Sequence, residues 1–157
     1  MNSIEFQIVH EERNNTAIAV VSPVIDGTEL RLLVARVEEP FARAEGAPHI
    51  AGQYHGLWVR YLSPPSRHLF GEPSHPVYRC GEKTQLLECE CGEPGCWRLL
   101  CRVTVTSNKV VWSDFEQPHR NGHGNHKAWE YIGFGPFEFE RGAYDRAVAA
   151  LAPGPDS

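Results

Sequence analysis

Three apolar segments between residues 84 and 115 are separated by two short turn sequences, which is the pattern of consecutive antiparallel strands. The segments read TQLLECEC, CWRLLCRVTVT and KVVWSDF, and the turns read GEPG (92–95) and Ser107-Asn108. Leucine, valine and tryptophan favour strands, whereas glycine, proline, serine and asparagine favour turns. Strands joined by such short turns pair as antiparallel hairpins, so this region predicts a β-meander.

The second of these turns also predicts the register of its hairpin. It sets Val105 opposite Val110. Val103 then lies opposite Trp112. Because side chains alternate faces along a strand, Cys101 falls on the same core-facing side as these residues. We expect Cys101 to be a small buried hydrophobe, which is the common environment of a free cysteine.

The first half of the chain is less regular. Alternating apolar residues in IEFQIV (4–9) predict a first strand, and residues 16–39 predict two strands around the hairpin signal Asp26-Gly27. Residues 38–82 are irregular and rich in proline towards their end, with LWVRYL as a short strand. We interpret this range as a lid or a surface excursion.

The C-terminal part predicts one more strand and a helix. WEYIGFGPFEFE (129–140) reads as a strand that is bent at its glycines and proline, and Tyr144, Val148 and Leu151 form an apolar helical stripe. The fold class is therefore α+β, a mostly antiparallel β-sheet of hairpins with a C-terminal amphipathic helix packed on it. We expect a single globular domain over 1–152 and a flexible tail at 153–157.

The composition excludes several classes of function. The 157 residues are 41% hydrophobic and carry a net charge of −5, and lysine and arginine are scattered without a run. Such a chain offers no surface that follows nucleic acid phosphates. No apolar stretch approaches the roughly 18 residues that cross a bilayer, and the start lacks a basic and then apolar signal sequence. We expect a cytoplasmic protein whose partner is a protein or a small molecule.

Four of the five cysteines lie within LLECECGEPGCWRLLC (86–101). In a reducing cytoplasm, clustered cysteines indicate metal or redox chemistry more often than disulfides. Cys89 and Cys91 point to the same face, and a turn at 92–95 sets Cys91 opposite Cys96. Three thiols therefore converge at one end of the hairpin, and zinc is the metal whose tetrahedral thiolate sites fit them.

The fourth ligand stays open among Cys80, His119, His123, His126 and water. The three histidines lie in PHRNGHGNH (118–126), which follows the strand that pairs with the cysteine strand. A loop there can fold back to the hairpin, and His119 is the preferred ligand. The alternative interpretation of the histidine loop is a solvated surface that binds no metal. The alternatives for the cysteines are reduced thiols without a partner, or a disulfide of Cys96 with Cys89 or Cys91.

Three functions follow from this cluster. The first is an interaction domain with a structural zinc site that has four protein ligands. The second is a metal-dependent hydrolase with an open zinc position, in which Asp114 or Glu116 acts as the base. The third is a thiol redox switch that oxidises Cys91 and Cys96 reversibly. The sequence leaves enzymatic activity undecided, because no nucleophile elbow, P-loop or dinucleotide fingerprint is present.

Three segments within and around 87–151 carry a wider pattern: CECGEPGCW, VTVTSNKVVWSDFEQPHR and YIGFGPFEFERGAYDRAV. In the form CxCGxxGCW, WxxFxxPHR and GPFxF, this pattern resembles a family of uncharacterised bacterial proteins with no established function. The resemblance implies thiols at Cys89, Cys91 and Cys96 and an imidazole at His119, and it does not require a thiol at Cys101. It implies no mechanism.

Overall fold

The computed structural model describes residues 1–73, 75–93 and 95–152. The predicted tail at 153–157 lies outside these residues, and so does Pro94 in the predicted turn at 92–95. The strands are β1 (Ile4–Arg13), β2 (Thr16–Ile25), β3 (Thr28–Glu29), β4 (Tyr54–Trp58), β5 (Arg79–Cys80), β6 (Lys83–Cys89), β7 (Leu99–Val105), β8 (Lys109–Glu116) and β9 (Phe137–Glu140). The helices are α1 (Leu30–Ala44), α2 (Val59–Leu62) and α3 (Arg141–Ala149).

The fold is α+β, as predicted, and its strands form one mostly antiparallel sheet. The order is β1-β2-β4-β6-β7-β8-β9, with β3 paired to β2 and β5 paired to β6. The beginning of the chain also meets β9, because Asn2 and Phe139 form a parallel bridge. The Asn2 backbone N–H donates to the Glu138 carbonyl at 2.7 Å. The residue Asn2, just before the first strand, thus meets the last strand of the sheet. In the described parts of the chain, no helix is long and apolar enough to cross a membrane.

The predicted hairpin of β7 and β8 is confirmed together with its register. Val105 pairs with Val110, and Val103 pairs with Trp112. Cys101 has no exposed surface and belongs to the hydrophobic core. The prediction that this thiol is buried among core residues is therefore confirmed.

The C-terminal helix is confirmed as well. Tyr144 and Val148 lie on the buried face of α3 that packs on the sheet, and Leu151, in the turn after the helix, is buried as well. The Tyr144 hydroxyl accepts a hydrogen bond from Trp112 Nε1 at 3.1 Å, which joins the helix to β8. The Glu140 carboxylate caps the start of α3 by accepting from two backbone N–H groups. The preceding bent strand is shorter than predicted, because only β9 is extended within 129–140.

The second strand predicted after Asp26-Gly27 is wrong beyond its first two residues. The hairpin turn is present, but β3 ends at Glu29 and α1 begins at Leu30. Positions 30, 34, 38 and 42 of α1 are buried. A spacing of four places these residues on one helical face, and this face covers the core. The short apolar run from Leu32 to Ala35 fits either structure, and packing against the sheet selects the helix.

The interpretation of residues 38–82 as a lid or surface excursion is wrong for β4, which lies between β2 and β6 in the sheet. The backbones are close there, since a Cβ atom on Gly56 would lie 1.9 Å from the Val21 carbonyl oxygen. Glycine therefore fits where a larger residue would push the strands apart. The strand predicted at 57–62 is also divided, because α2 begins at Val59.

Candidate metal centre

Three cysteine sulfurs meet at the end of β6. The Sγ atoms of Cys89, Cys91 and Cys96 all lie within 4.8 Å of one another. Cys89 is buried, and the other two are exposed. In a tetrahedral zinc site, Zn–S bonds of about 2.3 Å place the sulfurs about 3.8 Å apart. Small side-chain rotations bring the three sulfurs to that spacing, so the cluster can hold a metal ion.

The cysteines converge by a different route from the predicted strand pairing. Because β6 ends at Cys89 and β7 begins at Leu99, Cys91 and Cys96 both lie in the intervening loop, and the parity argument is wrong for them. A tight turn returns the chain instead. The Cys91 N–H donates to Cys89 Sγ at 3.5 Å, and the Gly92 N–H donates to the Cys89 carbonyl at 2.9 Å. Gly92 has a φ of 82°, which a glycine adopts without strain.

The sulfurs differ in how readily they ionise. The Glu93 backbone N–H donates to the Cys91 sulfur and lowers the pKa of this thiol. Burial raises the pKa of Cys89 to about 12. A metal binds thiolates and releases their protons. Of these two thiols Cys91 is therefore the easier one to ionise, and a cation bound at the cluster would have to stabilise the thiolate of Cys89 against burial.

His119 lies against the cysteine loop. Its Nε2 is 3.0 Å from the carbonyl oxygen of Gly95, the residue before Cys96. Its ring stacks on Trp97 with a centroid distance of 5.9 Å and an interplanar angle of 3°. The predicted fourth ligand is thus beside the loop. Among the described residues, however, the group of potential ligands within mutual reach consists of the three cysteines.

The other predicted ligands lie elsewhere. Cys80 is opposite Lys83 at the start of β6, whereas Cys89 ends that strand. His126 is exposed, and its Nδ1 lies 3.5 Å from Glu45. His123 is exposed in the same loop. None of these three side chains joins the sulfur cluster within the part of the chain that the structure describes.

The two candidate bases form ion pairs. Asp114 Oδ2 lies 3.2 Å from Arg102 Nε, and Glu116 Oε1 lies 2.7 Å from Lys83 Nζ. Asp114 also has a φ of 53° at the irregular end of β8, so it does not share the regular alternation that the sequence suggested. Both carboxylates therefore have cationic partners, and nothing in these contacts favours a role as a general base.

Sequence analysis missed helix α1 and with it a cluster that holds the His119 segment. Arg120 Nε donates to both oxygens of Glu45, at 3.1 and 3.0 Å, and Trp129 Nε1 donates to Glu45 at 2.7 Å. The Arg120 guanidinium lies 5.2 Å from the centre of the Trp97 ring. The neighbours of His119 and Cys96 are thereby joined to each other and to the end of α1.

A second carboxylate of α1, Glu38, has no exposed surface. It accepts hydrogen bonds from the Gly52 N–H at 2.8 Å, the Tyr54 hydroxyl at 2.5 Å and the Tyr131 hydroxyl at 2.6 Å. Burial raises the pKa of Glu38. The only signal in the sequence is its position, because Glu38 comes four residues after Val34 on the buried face of the helix.

A cleft of about 420 Å³ reaches the centre at Cys91, with Arg13, Trp58 and Glu90 among its walls. Arg13 is held by ion pairs of 3.3 Å with Glu88 and 3.2 Å with a second glutamate, so its charge is compensated. The cleft gives solvent ions access to the exposed side of the cluster.

No protein-family model matches the chain, and no curated protein or solved structure is significantly similar to it. The resemblance of residues 87–151 to a bacterial family stays a prediction.

Proposed function

We propose that this protein is a zinc-binding interaction domain, in which Cys89, Cys91, Cys96 and His119 hold a structural zinc ion. The observation that carries the proposal is the convergence of three sulfurs within 4.8 Å of one another. Thiolates favour zinc over magnesium or calcium, which prefer oxygen. Three cysteines and one histidine are a standard ligand set for structural zinc.

The hydrogen bond of His119 supports its part in the proposal. A carbonyl oxygen only accepts, so the bond to Gly95 places the ring proton on Nε2 and leaves Nδ1 as the nitrogen with a free electron pair. Histidines that bind metals usually donate their other N–H to a carbonyl or carboxylate in this way. A shift of the 118–120 turn towards the loop would bring Nδ1 to the sulfur cluster and complete the site.

The zinc ion would fix the loop at 90–98 to the turn Pro118–Arg120. This loop and its exposed cysteines would then present a defined surface to a protein or small-molecule partner. A cytoplasmic location agrees with the five free thiols, because zinc thiolate sites persist where thiols stay reduced.

Metal content tests the proposal. Protein purified without a histidine tag is analysed by mass spectrometry for zinc per chain, beside a Cys91→Ser/Cys96→Ser variant and a Cys80→Ser control. We expect about one zinc ion in the parent and in the control, and none in the double variant. A parent without zinc would contradict the proposal, and so would zinc that remains in the double variant.

The same samples separate the metal site from a thiol switch. If the parent contains no metal and forms a reversible disulfide between Cys91 and Cys96 under mild oxidation, the thiol switch is favoured over the zinc site.

Cobalt absorption then tests the fourth ligand. We expect His119→Ala to change the spectrum of the cobalt-loaded protein and His123→Ala to leave it unchanged. Equal spectra for both variants would remove His119 from the site.

A further inference from the structure

We infer that Glu38 and Tyr54 are positioning residues for His119 in this metal centre, an inference that rests on the proposed zinc site. Neither side chain belongs to the sulfur cluster. They act through a chain of buried hydrogen bonds that starts on helix α1 and ends at the backbone of the fourth ligand.

The chain of hydrogen bonds is continuous. The Tyr54 hydroxyl donates to Glu38 Oε2 at 2.5 Å and accepts from Gln117 Nε2 at 3.0 Å. Gln117 Oε1 in turn accepts from the His119 backbone N–H at 3.1 Å. Glu38 and Gln117 have no exposed surface, and Tyr54 is 2% exposed, so water does not compete for these bonds. By accepting this bond, the Gln117 side chain caps the start of the short helical turn that carries His119.

The direction of the bonds in the chain follows from its backbone end. The His119 backbone N–H only donates, so Gln117 turns its oxygen to His119 and its NH₂ group to Tyr54. The Tyr54 oxygen accepts from this NH₂ group, and the tyrosine proton points to Glu38. Glu38 thus holds the Tyr54 hydroxyl in the orientation in which it accepts from the amide that supports the His119 backbone.

Tyr54 also connects this chain to the cysteines. In the pairing of β4 with β6, Tyr54 is the partner of Cys89. One residue therefore lies beside the buried sulfur ligand and also supports the turn that bears the imidazole. A fixed distance between these two parts favours the folded site before the metal binds.

Two tyrosines provide a matched test, because both donate to the same Glu38 oxygen, at 2.5 and 2.6 Å. Of these two, only Tyr54 accepts from Gln117. We expect Tyr54→Phe to weaken zinc binding about tenfold in a chelator competition assay and to change the cobalt absorption spectrum. Tyr131→Phe removes a comparable hydrogen bond, and we expect it to keep both properties. Equal effects of the two variants would refute the positioning role.

A double-variant cycle separates positioning from a general loss of stability. In a His119→Ala background, Tyr54→Phe should have no further effect on zinc affinity, because the ligand that it positions is absent. Additive losses would overturn the inference. If Tyr54→Phe does not fold, Gln117→Met breaks the same chain and is tested in the same way. If the parent binds zinc and Tyr54→Phe and Gln117→Met bind it with the affinity of the parent, the inference alone is refuted, whereas a parent without zinc refutes the proposed function with it.

Discussion

We predict that acid destabilises this protein through the buried side chain of His68, because burial keeps its imidazole neutral in the folded protein. His68 is 1% exposed, and its Nε2 lies 2.6 Å from the Gln85 carbonyl oxygen. Burial lowers the pKa of His68 to about 4, from 6.5 in an unfolded chain. Between these values the unfolded chain binds a proton that the folded protein excludes, so the free energy of unfolding falls as the pH falls.

The size of the effect follows from the shift. At about 1.4 kcal/mol for each pH unit, the whole shift amounts to about 3 kcal/mol, and about 2 kcal/mol of this is lost between pH 7.5 and pH 5. Urea unfolding at these two pH values measures the loss. Burial raises the pKa of Glu38 and of Glu88, which has the opposite effect on stability in acid. A comparison with a variant therefore isolates the histidine.

The matched variant is His68→Gln, which keeps a side-chain donor for the Gln85 carbonyl but does not titrate. We expect it to be less stable than the parent at pH 7.5, because its shape differs in a packed core. Its loss of stability on acidification should be smaller than that of the parent by about 2 kcal/mol. The same pH dependence in both proteins would refute the reasoning, because His68 would then be accessible to protons in the folded state.

Two further predictions concern the close strand pair and the thiols. Gly56→Ala should lower the free energy of unfolding by more than about 3 kcal/mol, because the new Cβ atom would lie 1.9 Å from a carbonyl oxygen of β2. Gly124→Ala, which meets nothing within 4 Å, is the control in the same urea titration, and an equal loss would contradict this account. In metal-free protein, iodoacetamide should label the exposed Cys91 and Cys96 rapidly, and the fully buried Cys101 only after unfolding. Mass spectrometry reads the sites, and labelling of Cys101 in folded protein would disprove its burial.

Local sequence determined the parts of the fold that were predicted correctly. The hairpin of β7 and β8 is closed by a short turn, and the alternation of Val103 and Val105 leaves one register that buries the apolar face. The α3 stripe has the same local character. Both patterns are contained in a few consecutive residues, so no distant contact was needed to interpret them.

Helix α1 shows what local patterns leave undecided. The short run from Leu32 to Ala35 is apolar throughout, and such a run fits a buried strand as well as a helix. The choice depends on contacts with β2 and on where the buried Glu38 finds donors. Those donors include Tyr54 and Tyr131, which are distant in sequence. The hydrogen bonds of these tyrosines to Glu38 produce no periodic pattern of apolar residues in the sequence.

The sequence predicted which cysteines form the sulfur cluster but not the backbone path that brings them together. The alternation of side chains along the predicted strands indicated which thiols meet, and the sulfur cluster of Cys89, Cys91 and Cys96 agrees with that prediction. The route differs, because a backbone turn at Gly92 brings the sulfurs together instead of strand pairing. A turn held by an N–H to sulfur bond depends on a few dihedral angles, which residue spacing does not specify.

The contact of Asn2 with β9 has a consequence for the order in which this chain matures on the ribosome. Asn2 and Glu138 are hydrogen-bonded although they are 136 positions apart. The N-terminal hairpin emerges from the ribosome long before β9, the strand that meets Asn2, has been made. Pairings over such separations form slowly, because a long chain segment must be ordered before the contact is gained. The contact of Asn2 with β9 therefore forms only after β9 has left the ribosome, and until then the N-terminal hairpin folds without it.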